Sequence, residues 1–486
     1  MNFLNPQIAL FSCVIFIFWL LRSTGGDRSD FSKALWIPSI WMMIVGSRPI
    51  SLWLTRSDGR ETAAVDVYSI GSSLDRNIYS FLIIIALIIL LKRKVRWGNI
   101  IKRNLWLFGL LAFSGVSIVW SDFPYVALKR YIKEFGNIVM VMVVLTEKRP
   151  EEAIKALFRR CSYVLIPLSV VIFKYFSLGR YYHRWSGELS ITGVTTNKNS
   201  LGVLCLVCGL FLIWSIIYKL STKTEWRPRG KTVFFQDVLI LATTIWLLSL
   251  ADSMTSWACF ILGSFIMIVL EFSSIKKRIG SIGKYFLFMT FMWVLLEITI
   301  GINKLIIESL GRDTTLTGRN ELWALIIDMV KNPLIGTGYQ NFFLGERLAV
   351  LWDTFWWKPI TAHSGYLETY IDLGFVGLAL LLMLLISSYS SIANQFLFDL
   401  NNAKFRMAFL LISILYNVTE TAFQGIHIIW FCLMLLIINY RHVELDTIET
   451  GTYNMSKNLN KQMKLRAASG GVSSGIAPKS TRLSAL

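Results

Sequence analysis

The sequence predicts an all-α protein: a polytopic membrane bundle of about 12–13 transmembrane helices with one large outer segment that itself contains helices. Three observations carry this. Of 486 residues, 54% are hydrophobic and 16% charged, against roughly 25% charged in an ordinary soluble domain. The apolar residues fall in blocks near the ~20 residues that a helix needs to cross a bilayer. The basic excess, 49 Lys and Arg against 30 Asp and Glu, or +19, is segregated along the chain. A soluble enzyme, a fibrous protein and a disordered chain are all excluded as wholes.

Thirteen blocks read as spans, at about 7–21, 34–46, 77–91, 104–120, 135–145, 162–178, 200–218, 234–250, 254–270, 286–300, 373–390, 405–418 and 426–440. Most are apolar all round, and in lipid a helix satisfies its own backbone. The first block lacks a basic leading region and a small-residue cleavage site, so it reads as a span and not as a signal peptide. The segments near 22–33, 92–103, 146–161, 219–233, 271–285, 391–406 and 441–486 carry 32 basic and 11 acidic residues, net +21. The alternate set, 47–76, 121–134, 179–199, 251–253, 301–372 and 419–425, carries 16 basic and 17 acidic residues, net −1. Basic loops stay on the cytoplasmic side. The first set is therefore expected inside with the C-terminus, and the second outside with the N-terminus. The positive charge then reports orientation, and nucleic acid is not an expected partner.

Domain organisation follows. Residues 1–440 form the transmembrane domain, including the outer segment 301–372, and 441–486 read as a polar, basic, disordered tail. Cys13, Cys161, Cys205, Cys208, Cys259 and Cys432 all sit in or beside spans. Cys205 and Cys208 have metal-type spacing on an apolar helix, where small packing residues are the simpler reading.

Ion-coupled transporters place ionisable groups near the membrane midplane. Here Lys174 and Glu297 fall towards the outer ends of their spans and Asp237 towards the inner end, where snorkelling suffices. The polarity with information lies outside. In 301–372, Thr317 can cap a helix opening with Gly318-Arg319, its apolar face running from Leu322 to Val330 and ending before Pro333. Arg319 then sits in the first turn beside unpaired N–H groups, a possible phosphate clamp, or simply an exposed arginine. Further on, His363 stands at the start of another helix, on one face with Leu367 and Tyr370. It suits general-base work, or else a local hydrogen bond.

Two outer clusters add cations, amides and rings. Arg180 to Gly187 contains His183 and Arg184, and Asn197-Lys198-Asn199 follows; sugars and phosphates, or an aromatic belt, both suit this composition. Trp120 to Pro124 precedes Lys129, Arg130 and Lys133, which run against the inside-positive trend and favour an anionic partner or anionic headgroups.

These strings carry a family resemblance. Leu316-Thr-Gly-Arg-Asn-Glu-Leu-Trp323, Asn332-Pro-Leu-Ile-Gly-Thr-Gly-Tyr339 and Ala362-His-Ser-Gly-Tyr-Leu367, followed by Leu373-Gly-Phe-Val-Gly377, resemble the O-antigen ligase / polysaccharide polymerase superfamily of bacterial membrane glycosyltransferases. Trp120-Ser-Asp-Phe-Pro124 and Asn197-Lys-Asn-Ser-Leu-Gly202 match weaker motifs, over about 80–440 in all. The resemblance implies a GT-C-like bundle in the bacterial inner membrane with a periplasmic site. It implies transfer of a glycan from undecaprenyl pyrophosphate to an acceptor hydroxyl, without nucleotide sugar, metal or other cofactor. Arg319 would hold pyrophosphate and His363 would activate the acceptor. Arg184, Lys198, Asn197, Asn199, Arg312, Trp323, Tyr339, Tyr366, Lys129 and Arg130 are the expected substrate-binding residues. Other polysaccharide-export proteins are expected partners.

One departure bears on the branch. Ligases of the family often carry an arginine after a serine at the start of the span following a short outer turn. Here the turn reads Leu250-Ala-Asp-Ser-Met-Thr-Ser-Trp257, with none. Together with Leu35-Trp-Ile-Pro38 and Gly46-Ser-Arg-Pro49, it looks more like the exopolysaccharide polymerase branch. Arg184, Arg312 or Lys198 would then supply a second cation. The alternatives are an O-antigen ligase that joins polymer to lipid A–core, and, from another class, a lipid-linked glycan flippase or an export scaffold.

Overall fold

A computed structural model describes residues 5–24, 32–54, 71–93, 95–182, 187, 189–222, 228–271 and 319–440. The helices are α1 (Pro6–Thr24), α2 (Trp36–Val45), α3 (Ile50–Leu54), α4 (Ser73–Lys92), α5 (Trp97–Arg103), α6 (Leu105–Val116), α7 (Pro124–Leu145), α8 (Pro150–Tyr175), α9 (Lys198–Ser221), α10 (Pro228–Ala251), α11 (Met254–Val269), α12 (Arg319–Asp328), α13 (Gly345–Thr354), α14 (Gly365–Gln395), α15 (Leu400–Thr419) and α16 (Ile428–Ile437). Strand among the described residues is one antiparallel ribbon, β1 (Arg180–Tyr182) with β2 (Leu189–Ile191). The all-α polytopic class is borne out. Twelve of the thirteen expected spans coincide with a helix, and 286–300 lies outside the described residues, as does the tail 441–486. Six described helices (α1, α4, α8, α9, α10 and α14) are long and apolar enough to cross a membrane. The pair of α5 and the helix opening at Leu105, bent by 97°, is a seventh if the two halves cross as one broken span.

Local sequence accounts for the helix starts. Proline opens α1, α7, α8 and α10, where its missing N–H breaks no intrahelical bond. Asn197 Oδ1 accepts from Ser200 N at 2.8 Å to cap α9, and Asp399 caps α15 through Asn402 N. Burial orders the bundle. Every residue of α16, Gly136–Leu145 of α7 and Leu201–Leu212 of α9 is buried. By contrast α1 leaves Phe11, Val14 and Phe18 exposed, as a lipid-facing helix does.

The connections divide into two sets by contact. Glu147 accepts from Ser32 and pairs with Arg93; Asn402 donates to Glu151; Glu271 takes both Ser221 and Lys404. On the other side Arg48 meets residues 178–195, Ser51 meets Asp75, Arg347 meets Asp122, and Thr255 meets Thr419. These are the two sets that charge alone separates, so packing and the inside-positive trend agree on which loops share a side.

Asp237 corrects an expectation. It does not snorkel: it is fully buried. Its Oδ2 accepts from Lys219 Nζ and Ser215 Oγ at 2.8 Å, and its Oδ1 accepts from Tyr163 OH at 2.6 Å with Arg159 Nε 3.5 Å away. A carboxylate surrounded by two cations and two hydroxyls needs no route to water. Lys174, by contrast, is exposed at the end of α8.

The stretch between α11 and α14 has, in its described part, its own core, built from Leu322, Ile326, Val330, Phe342, Phe343, Leu351, Phe355, Ala362 and Ile371. It docks on a break in α14 at Gly374, with φ 65° and ψ −165°. The N–H groups freed there are used: Phe375 N donates to Pro333 O at 2.8 Å and Val376 N to Leu334 O at 3.1 Å. Gly336, with φ 68°, lies so close that a Cβ would stand 2.5 Å from the Asp372 carbonyl. The Asn332–Tyr339 and Leu373–Gly377 strings are therefore the two halves of one joint. Gly336→Ala should cost about 1–3 kcal/mol from backbone strain, read as an earlier thermal transition in detergent; an unchanged transition would contradict the joint.

Candidate functional site

The candidate site lies where α12 and the stretch before α14 meet the short turn between α15 and α16. Arg319 lies in the first turn of α12, where the sequence places it, and Thr317 and Gly318 lie outside the described residues. The Arg319 guanidinium donates to Thr419 O at 2.7 Å and stands 3.7 Å from Glu420 Oε1. His363 reaches the same carboxylate from the other side, its Nδ1 3.6 Å from Glu420 Oε2. Cation, carboxylate and imidazole thus form one row, each partly open to solvent.

His363 is not on the face of a helix, which corrects the expected placement. Ser364 is the cap, its Oγ accepting from Leu367 N at 3.4 Å, and the helix starts at Gly365. His363 stands before it with φ 51°, a left-handed conformation uncommon outside glycine. The surroundings hold it there. Glu368 Oε2 accepts from Ala362 N at 2.8 Å, and Trp323 Nε1 donates to Ala362 O at 2.7 Å. The Trp357 ring lies 5.8 Å from the imidazole. His363 Nδ1 is buried and unbonded at the 3.6 Å separation from Glu420, a gap of the kind that tightens when substrate binds.

The other expected site residues divide. Lys198 Nζ pairs with Asp252 Oδ2 at 3.2 Å, in the turn that lacks the arginine. That turn is tied to the site by Thr255 Oγ1, 3.1 Å from Thr419 Oγ1. Asn197 caps α9 and Asn199 is half-buried beside it. The approach of this segment is set by Arg48, which donates to the carbonyls of Leu178, Gly193, Val194 and Thr195. Burial lowers Arg48 to about 10, which still leaves it cationic near neutrality. Tyr366 gives its OH to Ile414 O at 3.0 Å and packs on Phe423.

Tyr339 is buried, its OH donating to Glu134 at 3.3 Å. Arg130 donates to Gln340 O, and Lys129 lies over the Tyr125 ring at 4.6 Å. Arg184 and Arg312 lie outside the described residues.

Sequence reading missed Glu420. The available signal was an acidic residue in the short outer turn 419–425, closed by apolar helices on both sides. It also missed the buried carboxylates that brace the site. Asp372 accepts from Asn341 N and Phe342 N at 3.3 Å and from Gln424 Nε2 at 2.9 Å. Glu134 accepts from Trp430 Nε1 and Tyr339 OH.

A polytopic helical membrane protein with a cationic, imidazole-bearing site on one face is the class that this fold and geometry define. Residues 238–382 match the O-antigen ligase family, a stretch that contains Arg319 and His363 and stops short of Glu420. The exopolysaccharide production protein ExoQ of Rhizobium meliloti is 25% identical over 297 residues, 59% of this chain and 64% of that relative. The chain thus spans under two thirds of the length of the curated relative it matches. The resemblance carried by the motifs is borne out: over these stretches the chain is similar to the O-antigen ligase family and to an exopolysaccharide production protein.

Proposed function

We propose that the chain transfers a glycan from undecaprenyl pyrophosphate to an acceptor sugar hydroxyl at the periplasmic face of the bacterial inner membrane, polymerising surface or exopolysaccharide repeat units. The observation that carries this is the convergence of Arg319 and His363 on Glu420. His363 Nε2 takes the acceptor hydroxyl proton. The hydroxyl oxygen bonds to the anomeric carbon as the bond from that carbon to the pyrophosphate oxygen breaks. The lipid pyrophosphate leaves with the bonding pair, its charge met by Arg319, and the proton on His363 returns to it. Glu420 holds the Nδ1–H side of the ring, leaving Nε2 free to accept. Lys198, 35% exposed on its side chain and on the turn tied to Thr419, is the second phosphate cation. Neither metal nor nucleotide sugar enters the scheme.

Glu420→Gln should leave protein level unchanged and lower transfer about 10²–10⁴-fold, as expected when a base loses the carboxylate that orients it. Wild-type transfer by that variant would remove Glu420 from the mechanism. A second reading, ligation of finished polymer to lipid A–core, is favoured by the description of the matched family. Products of a deletion strain separate the two: accumulated single repeat units mark a polymerase, and full-length polymer left on its carrier marks a ligase.

A further inference from the structure

Four tryptophans, Trp323, Trp352, Trp356 and Trp357, fall between Arg319 and His363, and they divide by what their N–H groups do. Trp323 donates to Ala362 O at 2.7 Å and Trp352 to Pro359 O at 3.1 Å. These two fix the stretch that delivers His363. Trp357 is different. It is half-buried, its ring centroid stands 5.9 Å from that of Phe355 and 5.8 Å from that of His363, both tilted against it, and its N–H makes no hydrogen bond among the described residues. Trp356 beside it is 78% exposed, the most open tryptophan of the described chain.

We propose that Trp357, flanked by Trp356, seats the terminal sugar of the acceptor glycan next to His363. This rests on the transfer reading above and names the acceptor side of that site. The chemistry fits a carbohydrate. An indole offers an apolar face to the C–H face of a pyranose and an N–H to a ring hydroxyl, so that one side chain serves both surfaces of an amphipathic ligand. Contact with the imidazole puts the sugar's hydroxyl within reach of the proposed base. Arg319 and Lys198, the cations assigned to the pyrophosphate, approach from α12 and α9, so the two substrates are gripped by different chemistry. Lys358 lies over the Trp352 ring at 5.5 Å, which keeps the pair of tryptophans on a braced turn.

The test uses the full chain in lipid nanodiscs and, as probe, oligosaccharide repeat units released by mild acid from the host's own surface polysaccharide, followed by saturation-transfer NMR. Trp357→Ala should weaken probe binding about tenfold, Trp357→Phe should retain most of it, and Arg319→Ala should bind the probe as wild type. Wild-type binding by Trp357→Ala would overturn the proposal. So would brominated lipids quenching wild-type fluorescence more than that of Trp357→Phe, because the indole would then lie in the membrane interface. Loss of polymer in Arg319→Ala and His363→Ala with normal probe binding in Trp357→Ala removes this inference alone. Normal polymer in both site variants removes the transfer reading itself.

Discussion

Arg319→Ala and His363→Ala are each expected to abolish long-chain glycan while the protein still reaches the membrane. The size of the effect follows from what each group does. Removing one preorganised charge from a developing anion costs about 10²–10³ in rate. Removing a positioned base costs about 10²–10⁴. Polymer length multiplies either loss, since every added unit repeats the step. Among the described residues Arg319 has one hydrogen bond, to Thr419 O at 2.7 Å, and a separation of 3.7 Å from Glu420, and His363 has an unbonded Nδ1, so neither side chain braces the bundle there. Loss of polymer should therefore come without loss of protein, measured by immunoblot of membranes beside polysaccharide length. Because Glu420 faces both residues, the double variant should lose little more than either single one.

Asp237→Ala is expected to have the largest effect on stability, about 3–5 kcal/mol. It would leave buried Lys219 and half-buried Arg159 without the carboxylate they face at 2.8 and 3.5 Å. Tyr163 and Ser215 would lose their acceptor at the same time. Asp237→Asn keeps an acceptor and should fall between the two. Thermal unfolding in detergent reads the difference, and a wild-type transition for the alanine variant would contradict the assignment of this cluster as a clamp between α8, α9 and α10. The cluster lies on the side opposite the candidate site, so what alanine protein does fold should keep its chemistry.

The bundle was legible in the sequence because a bilayer forces long apolar helices, and because charge sorted the loops onto two sides that the packing also separates. Arg319 was legible for a similar local reason: the apolar face from Leu322 to Val330 and the breaker at Pro333 mark a helix with Arg319 in its first turn. His363 was legible as a residue but misplaced by a turn, since whether Ser364 or His363 ends the loop depends on a backbone conformation that spacing does not encode. Tyr339 closes the Asn332–Tyr339 string of the family resemblance and is for that reason among the expected substrate-binding residues. The glycines of that string serve the close packing of Gly336 on Asp372, and the tyrosine goes inward with them. Glu420 could not be paired with Arg319 or His363 from the sequence, because nothing local joins the turn 419–425 to a segment so far upstream. The same holds for Asp237, whose partners come from two other helices.

The most direct measurement is transfer by the purified full chain in nanodiscs, supplied with carrier-linked repeat units as both donor and acceptor. Wild type should make oligomers and release lipid pyrophosphate in step with each new glycosidic bond, and Arg319→Ala and His363→Ala should do neither. Oligomers formed at the wild-type rate by either variant, or none formed by a correctly folded wild type while carrier crosses the bilayer, would contradict the account.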